Sequence, residues 1–134
     1  MYALDTNSVI YFFKGLGRVA ERVLATPPRS LAVPAVVLYE LEVGIARSAA
    51  PERRRAQLEQ LLALIEVLPF GVAEARIAAR IRADLESDGT PIGALDNLIA
   101  GTALRHGATL VTRNVKEFRR IEGLAVEDWF ASSG

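Results

Sequence analysis

The sequence predicts an α/β protein in which a short parallel sheet lies between two layers of helices, giving a three-layer α/β/α arrangement. Two observations favour this class. Short runs that are apolar throughout, such as residues 31–34, alternate along the chain with longer segments of helical periodicity. Strands without polar alternation are typical of parallel sheets that are covered on both faces. The length of 134 residues suits one domain, which we assign to residues 1–134.

Glycine and proline mark where the first predicted elements end. The apolar run at residues 2–5 predicts a strand, and a helix at Thr6–Lys14 is ended by Gly15. A second helix over about residues 18–25 stops at the Thr-Pro-Pro run of residues 26–28.

The middle of the chain predicts one strand followed by two helices. Residues 30–34 form the strand and residues 35–48 the first helix. Pro51 starts the second helix, which we expect to continue to the Pro69 region. This extent rests on one amphipathic stripe, made of Leu58, Leu61, Leu62, Ile65 and Leu68.

The last part of the chain predicts two helices and two strands. The helix at residues 73–86 has Ile77, Ile81 and Leu85 spaced four apart, and a Ser-Asp-Gly-Thr-Pro run breaks it. The remaining elements are a helix at residues 93–105 capped by Gly107, a strand at 108–112, a loop or short turn at 113–118 and a strand at 123–127.

Three acidic residues occupy positions where such a fold needs apolar groups. Asp5 ends the first strand, Glu40 lies in the middle of the apolar stripe of helix 35–48, and Asp96 lies among small and apolar residues of helix 93–105. Each also has a structural interpretation. Asp5, Thr6 or Asn7 suits the N-cap of the following helix, Asp96 suits the positive end of a helix dipole, and Glu40 is placed to extend its carboxylate to solvent or to pair with Arg47.

If the three carboxylates meet in a partly dry site, they must either raise their pKa values or hold a cation. The chain has no cysteine and one histidine, so its hard oxygen ligands suit Mg²⁺ or Mn²⁺ rather than zinc. A cation there would activate a water and neutralise charge on a phosphodiester. No nucleotide-binding glycine motif is present, so no nucleotide cofactor is indicated.

Four blocks of the sequence, in order, resemble the PIN domain, and most closely the VapC-type ribonuclease toxins of bacterial toxin–antitoxin pairs. They are "LDTNSVIYFFKG", "VPAVVLYELEVGIARS", "PIGALDNLIAGTALRHGATLVTRNVKEF" and "GLAVEDW". The resemblance runs from about Ala3 to Trp129. It implies a parallel sheet with an acidic pocket at the carboxyl edge of its strands. It also implies metal-dependent endonucleolytic cleavage of RNA, tRNA or ribosomal RNA, by a metal-activated water.

The resemblance assigns roles to individual residues. Asp5, Glu40 and Asp96 match the acids that bind Mg²⁺ or Mn²⁺ and act in catalysis. Thr6 and Asn7 match positions that orient the first acid. Thr112 and Asn114 match the polar pair after the fourth strand, and Asn114 is the fourth catalytic candidate. Many relatives carry an aspartate in that loop, and Glu117 is the alternative to Asn114 here.

The resemblance also implies partners. A free toxin needs an inhibitor, so we expect a VapB-type antitoxin that covers the active site and supplies any DNA binding. A homodimer in the cytoplasm is expected, and no segment is apolar enough to predict a membrane span. The 16 basic and 16 acidic residues cancel, so a local set must attract the RNA. We expect that set to be Arg113, Lys116, Arg119 and Arg120.

Two other functions compete with this one. The chain would be a catalytically inactive PIN-like binding module if the acids served only the structure. A phosphatase that uses Asp5 as nucleophile would need a second aspartate two residues later, and that place holds Asn7.

Overall fold

The computed structural model describes residues 1–131; residues 132–134, the end of the expected domain span, lie outside the described residues. Five strands form one parallel sheet in the order β3-β2-β1-β4-β5. The strands are β1 (Tyr2–Leu4), β2 (Leu31–Pro34), β3 (Glu66–Leu68), β4 (Thr109–Val111) and β5 (Val126–Glu127). The predicted α/β class with a short central parallel sheet is confirmed.

Helices connect the strands and cover the sheet. They are α1 (Thr6–Lys14), α2 (Val19–Leu24), α3 (Ala35–Ala46), α4 (Pro51–Leu62), α5 (Val72–Ser87), α6 (Ala94–Arg105) and α7 (Val115–Phe118), with a 3-10 turn at Pro28–Ser30. Helix α1 ends as predicted, because Gly15 adopts the left-handed conformation at φ 67°. No helix within residues 1–131 is long and apolar enough to cross a bilayer.

The three central strands of the sheet carry its most buried side chains. In the central strand β1, Ala3 pairs with Ala32 of β2 on one side and with Leu110 of β4 on the other. All three side chains are fully or almost fully buried. Because both faces are covered, these strands are apolar throughout, which is why the sequence shows no alternation in them. The carboxyl ends of β1, β2 and β4 consequently lie side by side at one edge.

Helices α5 and α6 pack closely against each other, and a glycine allows this. A β-carbon added to Gly101 would lie 2.7 Å from the β-carbon of Ala78. At the far end of α6, the His106 Nε2 lies 2.9 Å from the Glu74 Oε2. The Gly71 N–H donates to the other oxygen of Glu74 at 2.9 Å, and this bond is the main reason the pKa of Glu74 is lowered. His106 thus ties two helix ends together.

The expectation that one helix runs from Pro51 to the Pro69 region is wrong. Helix α4 ends at Leu62, and Leu68 belongs to β3, which pairs with β2 through Pro34. Ile65 and Leu68 are buried at spacings that also fit a helical stripe, so periodicity alone misassigned them. The segment expected to be a loop or short turn contains the one-turn helix α7.

Candidate active site

Asp5 is held between the end of β1 and the start of α1, with a relative exposure of 7%. It is the N-cap of α1 and accepts a hydrogen bond from the Ser8 N–H at 2.9 Å. Its own N–H donates to the Val111 carbonyl at 3.1 Å, and the Ser8 hydroxyl donates to the same carbonyl at 3.1 Å. This network fixes the carboxylate against β4 and leaves it little freedom to turn.

Burial raises the pKa of Asp5 above its ordinary value, and the charge of Glu40 adds to this effect. Hydrogen bonds from Thr112 and Ser8 act in the opposite direction and are outweighed. The N-cap interpretation of Asp5 is therefore correct as local structure. It does not explain why the capping group is buried where its charged form is disfavoured, because serine or threonine would cap the helix without that cost.

Glu40 is half-buried on α3, and its Oε1 accepts a hydrogen bond from the Thr6 hydroxyl at 2.6 Å. Within residues 1–131 no ion pair joins Glu40 to Arg47, so the expected pairing with Arg47 is wrong. Glu42 instead pairs with Arg55 at 3.1 Å. Of these two glutamates of α3, only Glu40 is among the charges that act on Asp5 and Asp96.

Asp96 is the third residue of α6 and is half-buried. Burial raises its pKa to about 6, and the charges of Glu40, Asp5 and Glu117 contribute in that order. A helix N-terminus alone would lower the pKa of an aspartate, so the dipole does not account for this residue. Gly93 leaves room for the carboxylate, because an added β-carbon would lie 2.8 Å from the Asp96 Oδ2.

The acids from four different elements thus share one electrostatic environment at the carboxyl edge of the sheet. They are Asp5 after β1, Glu40 on α3, Asp96 on α6 and Glu117 on α7. No cation is among the groups that shift the pKa of Asp5 or Asp96. Oxygen donors with uncompensated negative charge fit a hard divalent cation such as Mg²⁺ or Mn²⁺.

The side chains are not arranged as a closed cage. In the described part of the chain, no three histidine, aspartate or glutamate side chains are gathered closely enough to surround a metal ion. Glu40 is turned toward Thr6, and Glu117 accepts a hydrogen bond from the Asn114 Nδ2 at 2.7 Å. Carboxylates that share a site rotate about their side-chain bonds while their backbone positions stay fixed, so the charges that act on Asp96 define the site better than the present side-chain orientations do.

The fourth polar position is shared by two residues. Asn114 is exposed and its side chain contacts Glu117, whereas its N–H donates to the Thr112 hydroxyl at 3.0 Å. Glu117 is half-buried, and its charge reaches Asp96. The two candidates that the sequence left as alternatives are therefore linked to each other, one turn apart.

Ser8 is the site residue that the sequence analysis missed. Thr6 and Asn7 were expected to orient Asp5, but Thr6 contacts Glu40, Asn7 is exposed, and Ser8 supplies the hydrogen bonds to Asp5. The signal for Ser8 was available, because the residue three positions after an N-cap is where the cap finds its backbone partner.

A cleft of about 300 Å³ adjoins the acids, and Glu40 is part of its wall. Its floor comes from α1, α3 and α4 and includes Phe13, Leu41 and Leu58, with Lys14 and Arg54 at the rim. A larger depression, of about 530 Å³, lies between α5 and the segment after α7. It contains none of the four acids, so its size does not indicate an active site.

Comparisons with known proteins identify the family. The profile of the PIN domain matches residues 2–124. The tRNA(fMet)-specific endonuclease VapC of Salmonella typhimurium is 38% identical over 129 residues, which span 96% of this chain and 97% of that protein. Ribonuclease VapC2 of Rickettsia felis is 33% identical over 137 residues, spanning 96% and 98%.

Solved structures give the same answer. VapBC2 from Rickettsia felis, bound to a DNA fragment from its promoter, contains a chain that superposes with a TM-score of 0.87 at 33% identity, over 96% of this chain and 98% of that one. A chain of DNA-bound VapBC from Salmonella typhimurium superposes with a TM-score of 0.86 at 36% identity, covering 96% of this chain and 97% of that one.

The fold and the acids at its edge define an α/β domain of the nuclease class. The chain belongs to the PIN-domain family and, within it, to the VapC ribonucleases. The resemblance carried by the four sequence blocks is confirmed.

Proposed function

We propose that this chain is an endoribonuclease toxin whose Asp5, Glu40 and Asp96 hold Mg²⁺ or Mn²⁺ at the carboxyl edge of the sheet. The observation that carries the metal assignment is the raised pKa of two carboxylates, caused first by burial and then by the charge of Glu40 on both and of Asp5 and Glu117 on Asp96, with no cation acting on either. When bound, a divalent cation supplies Lewis-acid stabilisation of a phosphodiester under attack and lowers the pKa of a water.

Each of the residues around that site has a different role. Asp5 is the fixed ligand, because Ser8 and the β4 carbonyl of Val111 hold its backbone and side chain. Asp96 is the adjustable ligand, since its carboxylate fills the space left by Gly93. Glu40, positioned by Thr6, completes the ligand set or accepts a proton from the attacking water. Asn114 holds Glu117 near the edge as a fourth polar group.

Cleavage of this kind leaves a 5′-phosphate and a 3′-hydroxyl. The substrate to test first is tRNA, because the Salmonella typhimurium and Shigella flexneri relatives carry the name tRNA(fMet)-specific endonuclease. Ribosomal RNA is the alternative. The product ends and the cleaved molecule are read from the same reaction, by ligation-based mapping of the fragments.

The inhibitor of this toxin is a VapB-type antitoxin, and the related VapBC complexes support that pairing. The apolar cleft beside Glu40 suits an inhibitory segment, because it leads directly to a catalytic carboxylate. DNA contacts belong to the antitoxin. A homodimer acting in the cytoplasm completes the proposal.

The test is cleavage of total RNA by the purified chain after its partner has been removed. Reactions contain Mg²⁺ or Mn²⁺, or EDTA, and include Asp96→Asn with Glu59→Gln as the matched control. Glu59 is exposed on α4 and does not shift the pKa of Asp96. We expect discrete fragments that disappear with EDTA and with Asp96→Asn and persist with Glu59→Gln. Cleavage that survives Asp96→Asn would overturn the site, and a folded chain that neither cleaves nor binds metal would be a binding module.

A further inference from the structure

Arg113 follows strand β4 at the carboxyl edge of the sheet, the edge on which the acids also lie. The residue before Arg113 in the sequence is Thr112. The Thr112 side chain forms a hydrogen bond with the Asp5 carboxylate. The strand order places Glu40 on the β2 side of Asp5 and Arg113 on the β4 side. Arg113 therefore lies on the side of Asp5 opposite to Glu40.

The guanidinium of Arg113 is held on an aromatic platform. Its central carbon lies 3.7 Å from the centroid of the Phe130 ring and 5.9 Å from that of Tyr11. The two rings contact each other edge to face, with centroids 4.9 Å apart. Stacking of this kind favours a planar cation and leaves its N–H groups directed outward at the rim of the ring.

The platform itself is fixed by its surroundings. The Phe130 carbonyl accepts from the Arg18 N–H at 3.1 Å, and the Phe130 N–H donates to the Asp128 Oδ1 at 2.7 Å. The ring lies against Gly17, where an added β-carbon would be 2.6 Å from a ring atom. Gly17 has φ 61°, a conformation that glycine adopts without strain. Arg113 is therefore supported by a preformed surface rather than by a mobile side chain.

Arg113 has no carboxylate partner within residues 1–131. The ion pairs there involve other cations, namely Arg18, Arg22, Arg55, Arg82 and His106. Arg22 makes a useful contrast, because it also stacks on an aromatic ring, that of Trp129 at 5.2 Å, but is neutralised by Glu127 at 3.3 Å. Arg113 stacks on the Phe130 ring but, within residues 1–131, has no carboxylate that neutralises its charge.

We infer that Arg113, presented by Phe130 and Tyr11, is a phosphate-binding subsite for RNA on the β4 side of the carboxylates, gripping a phosphate that flanks the scissile bond. The inference rests on the proposed ribonuclease function and adds a binding residue to it. Arg113 is not among the charges that shift the pKa of Asp5 or Asp96, so it does not serve the acids themselves. A guanidinium with fixed orientation donates to phosphate through two parallel hydrogen bonds and loses little side-chain entropy on binding.

This inference narrows the basic set expected from the sequence. Arg120 lies in the depression formed with α5, away from the four acids of the candidate site, and no aromatic ring in residues 1–131 supports it. It is exposed and carries the same charge. Arg120→Ala is therefore the matched control for Arg113→Ala, because both variants change the net charge equally and only one removes the subsite.

The first experiment measures kcat and KM for a defined RNA together with their salt dependence. We expect Arg113→Ala to lower kcat/KM about tenfold and to reduce the slope of log(kcat/KM) against log salt by about 0.7, the contribution of one single-strand phosphate contact. Arg113→Lys keeps the charge but loses the planar fork, so it restores only part of the activity. Arg120→Ala stays near wild type. Equal effects of the two alanine variants would mean diffuse attraction and would overturn the subsite.

The second experiment replaces single phosphates of the RNA by neutral methylphosphonates. At one position flanking the cleavage site, we expect the methylphosphonate to lower kcat/KM of the wild type about as much as Arg113→Ala lowers it on unmodified RNA. The same methylphosphonate should not lower kcat/KM of Arg113→Ala any further. A position that affects both proteins equally does not contact Arg113. If the methylphosphonate affects both proteins equally at every position, Arg113 does not bind an RNA phosphate and the inference is wrong. A weaker inhibition of Arg113→Ala by the antitoxin would not rescue it.

Failure of the ribonuclease proposal is distinguishable from failure of this inference. Binding of the same RNA is measured by fluorescence anisotropy with EDTA and the Asp96→Asn chain, which requires no cleavage. The subsite is supported if introducing Arg113→Ala into the Asp96→Asn chain weakens RNA binding and introducing Arg120→Ala into the same chain leaves it unchanged. Equal binding by all three chains contradicts it, whatever the wild-type protein does to RNA.

Discussion

At the scale of single residues, Asp5 and Asp96 show two ways of keeping a carboxylate where its charge is unfavourable. Asp5 is locked by hydrogen bonds from Ser8, and its burial is the main reason for its raised pKa. Asp96 has fewer constraints, and its position depends on empty space beside Gly93. The rigid acid defines where a cation would sit, and the freer acid adjusts to it.

Gly93→Ala tests that arrangement. The backbone of Gly93 has φ −56°, which alanine adopts without strain, so the fold should be nearly unaffected. The new β-carbon would lie 2.8 Å from the Asp96 Oδ2 and must displace the carboxylate. We expect RNA cleavage to fall about tenfold or more, because a displacement of about 1 Å at a catalytic group is costly. Thermal unfolding of the two chains serves as the control.

If Gly93→Ala cleaves like wild type, Asp96 does not act from the observed position. If the variant unfolds at a much lower temperature, the loss of activity has a structural cause, and Gly93 serves the fold.

The three acids could be predicted from the sequence, whereas the contact between Arg113 and Phe130 could not. Asp5, Glu40 and Asp96 could be predicted as site candidates because each is an acid where the fold needs an apolar group, which is a signal local to its own helix or strand. The Arg113–Phe130 contact was out of reach, because the two residues are brought together only by the pairing of β4 with β5. Such contacts depend on the three-dimensional arrangement, and no spacing along the chain encodes them.

At the scale of elements, two helix glycines have opposite surroundings. Gly44 of α3 is exposed and has no neighbour within 4 Å of an added β-carbon. Gly101 of α6 lies against Ala78 of α5, where the added atom would be 2.7 Å from a β-carbon and 2.9 Å from backbone. The same substitution therefore meets open space in one helix and a packed interface in the other.

We expect Gly44→Ala to stabilise the protein by up to about 1 kcal/mol, because alanine is the better helix former. Gly101→Ala gains the same helix preference but must separate α5 from α6, at about 1–3 kcal/mol for overpacking, so it should destabilise. Urea denaturation of both variants measures the difference. Equal stability changes would mean that α5 and α6 are not in close contact at Gly101.

Element boundaries divide the successes from the failures of the sequence analysis. Helix α1 was bounded correctly because Gly15 supplies the left-handed cap. Strand β3 was missed because it has three residues and continues the apolar spacing of α4. What makes it a strand is its pairing with β2, a tertiary contact that overrides local periodicity.

At the scale of the whole molecule, the acids make stability depend on pH. The folded-state pKa of Asp96 is about 6, against an ordinary value of 3.8. The folded chain therefore binds a proton more readily than the unfolded chain between these values, and stability falls as pH rises through that range. Glu74 has a lowered pKa, so its contribution has the opposite sign and is lost only in acid, as pH falls below its ordinary value.

Asp96→Asn removes the first of these contributions. In EDTA, we expect this variant to be more stable than wild type at pH 7.5, by an amount on the order of 1 kcal/mol after allowing for solvent screening of a half-buried group. The difference should shrink as pH falls from 7 to 4. Denaturation curves across this range provide the measurement. A difference that does not change with pH would mean that Asp96 is not under electrostatic stress.

A calorimetric titration with Mn²⁺ in the absence of RNA measures whether the acids gathered by this fold hold a divalent cation. The chains are wild type, Asp5→Asn, Asp96→Asn and the exposed control Glu59→Gln, each confirmed to be folded. Asn still caps α1, so Asp5→Asn removes charge with little change in local structure. We predict that wild type and Glu59→Gln bind Mn²⁺ equally and that each aspartate variant loses at least about tenfold in affinity. Equal Mn²⁺ binding by all four chains, or no binding by the folded wild type, would mean that Asp5 and Asp96 do not form a metal site.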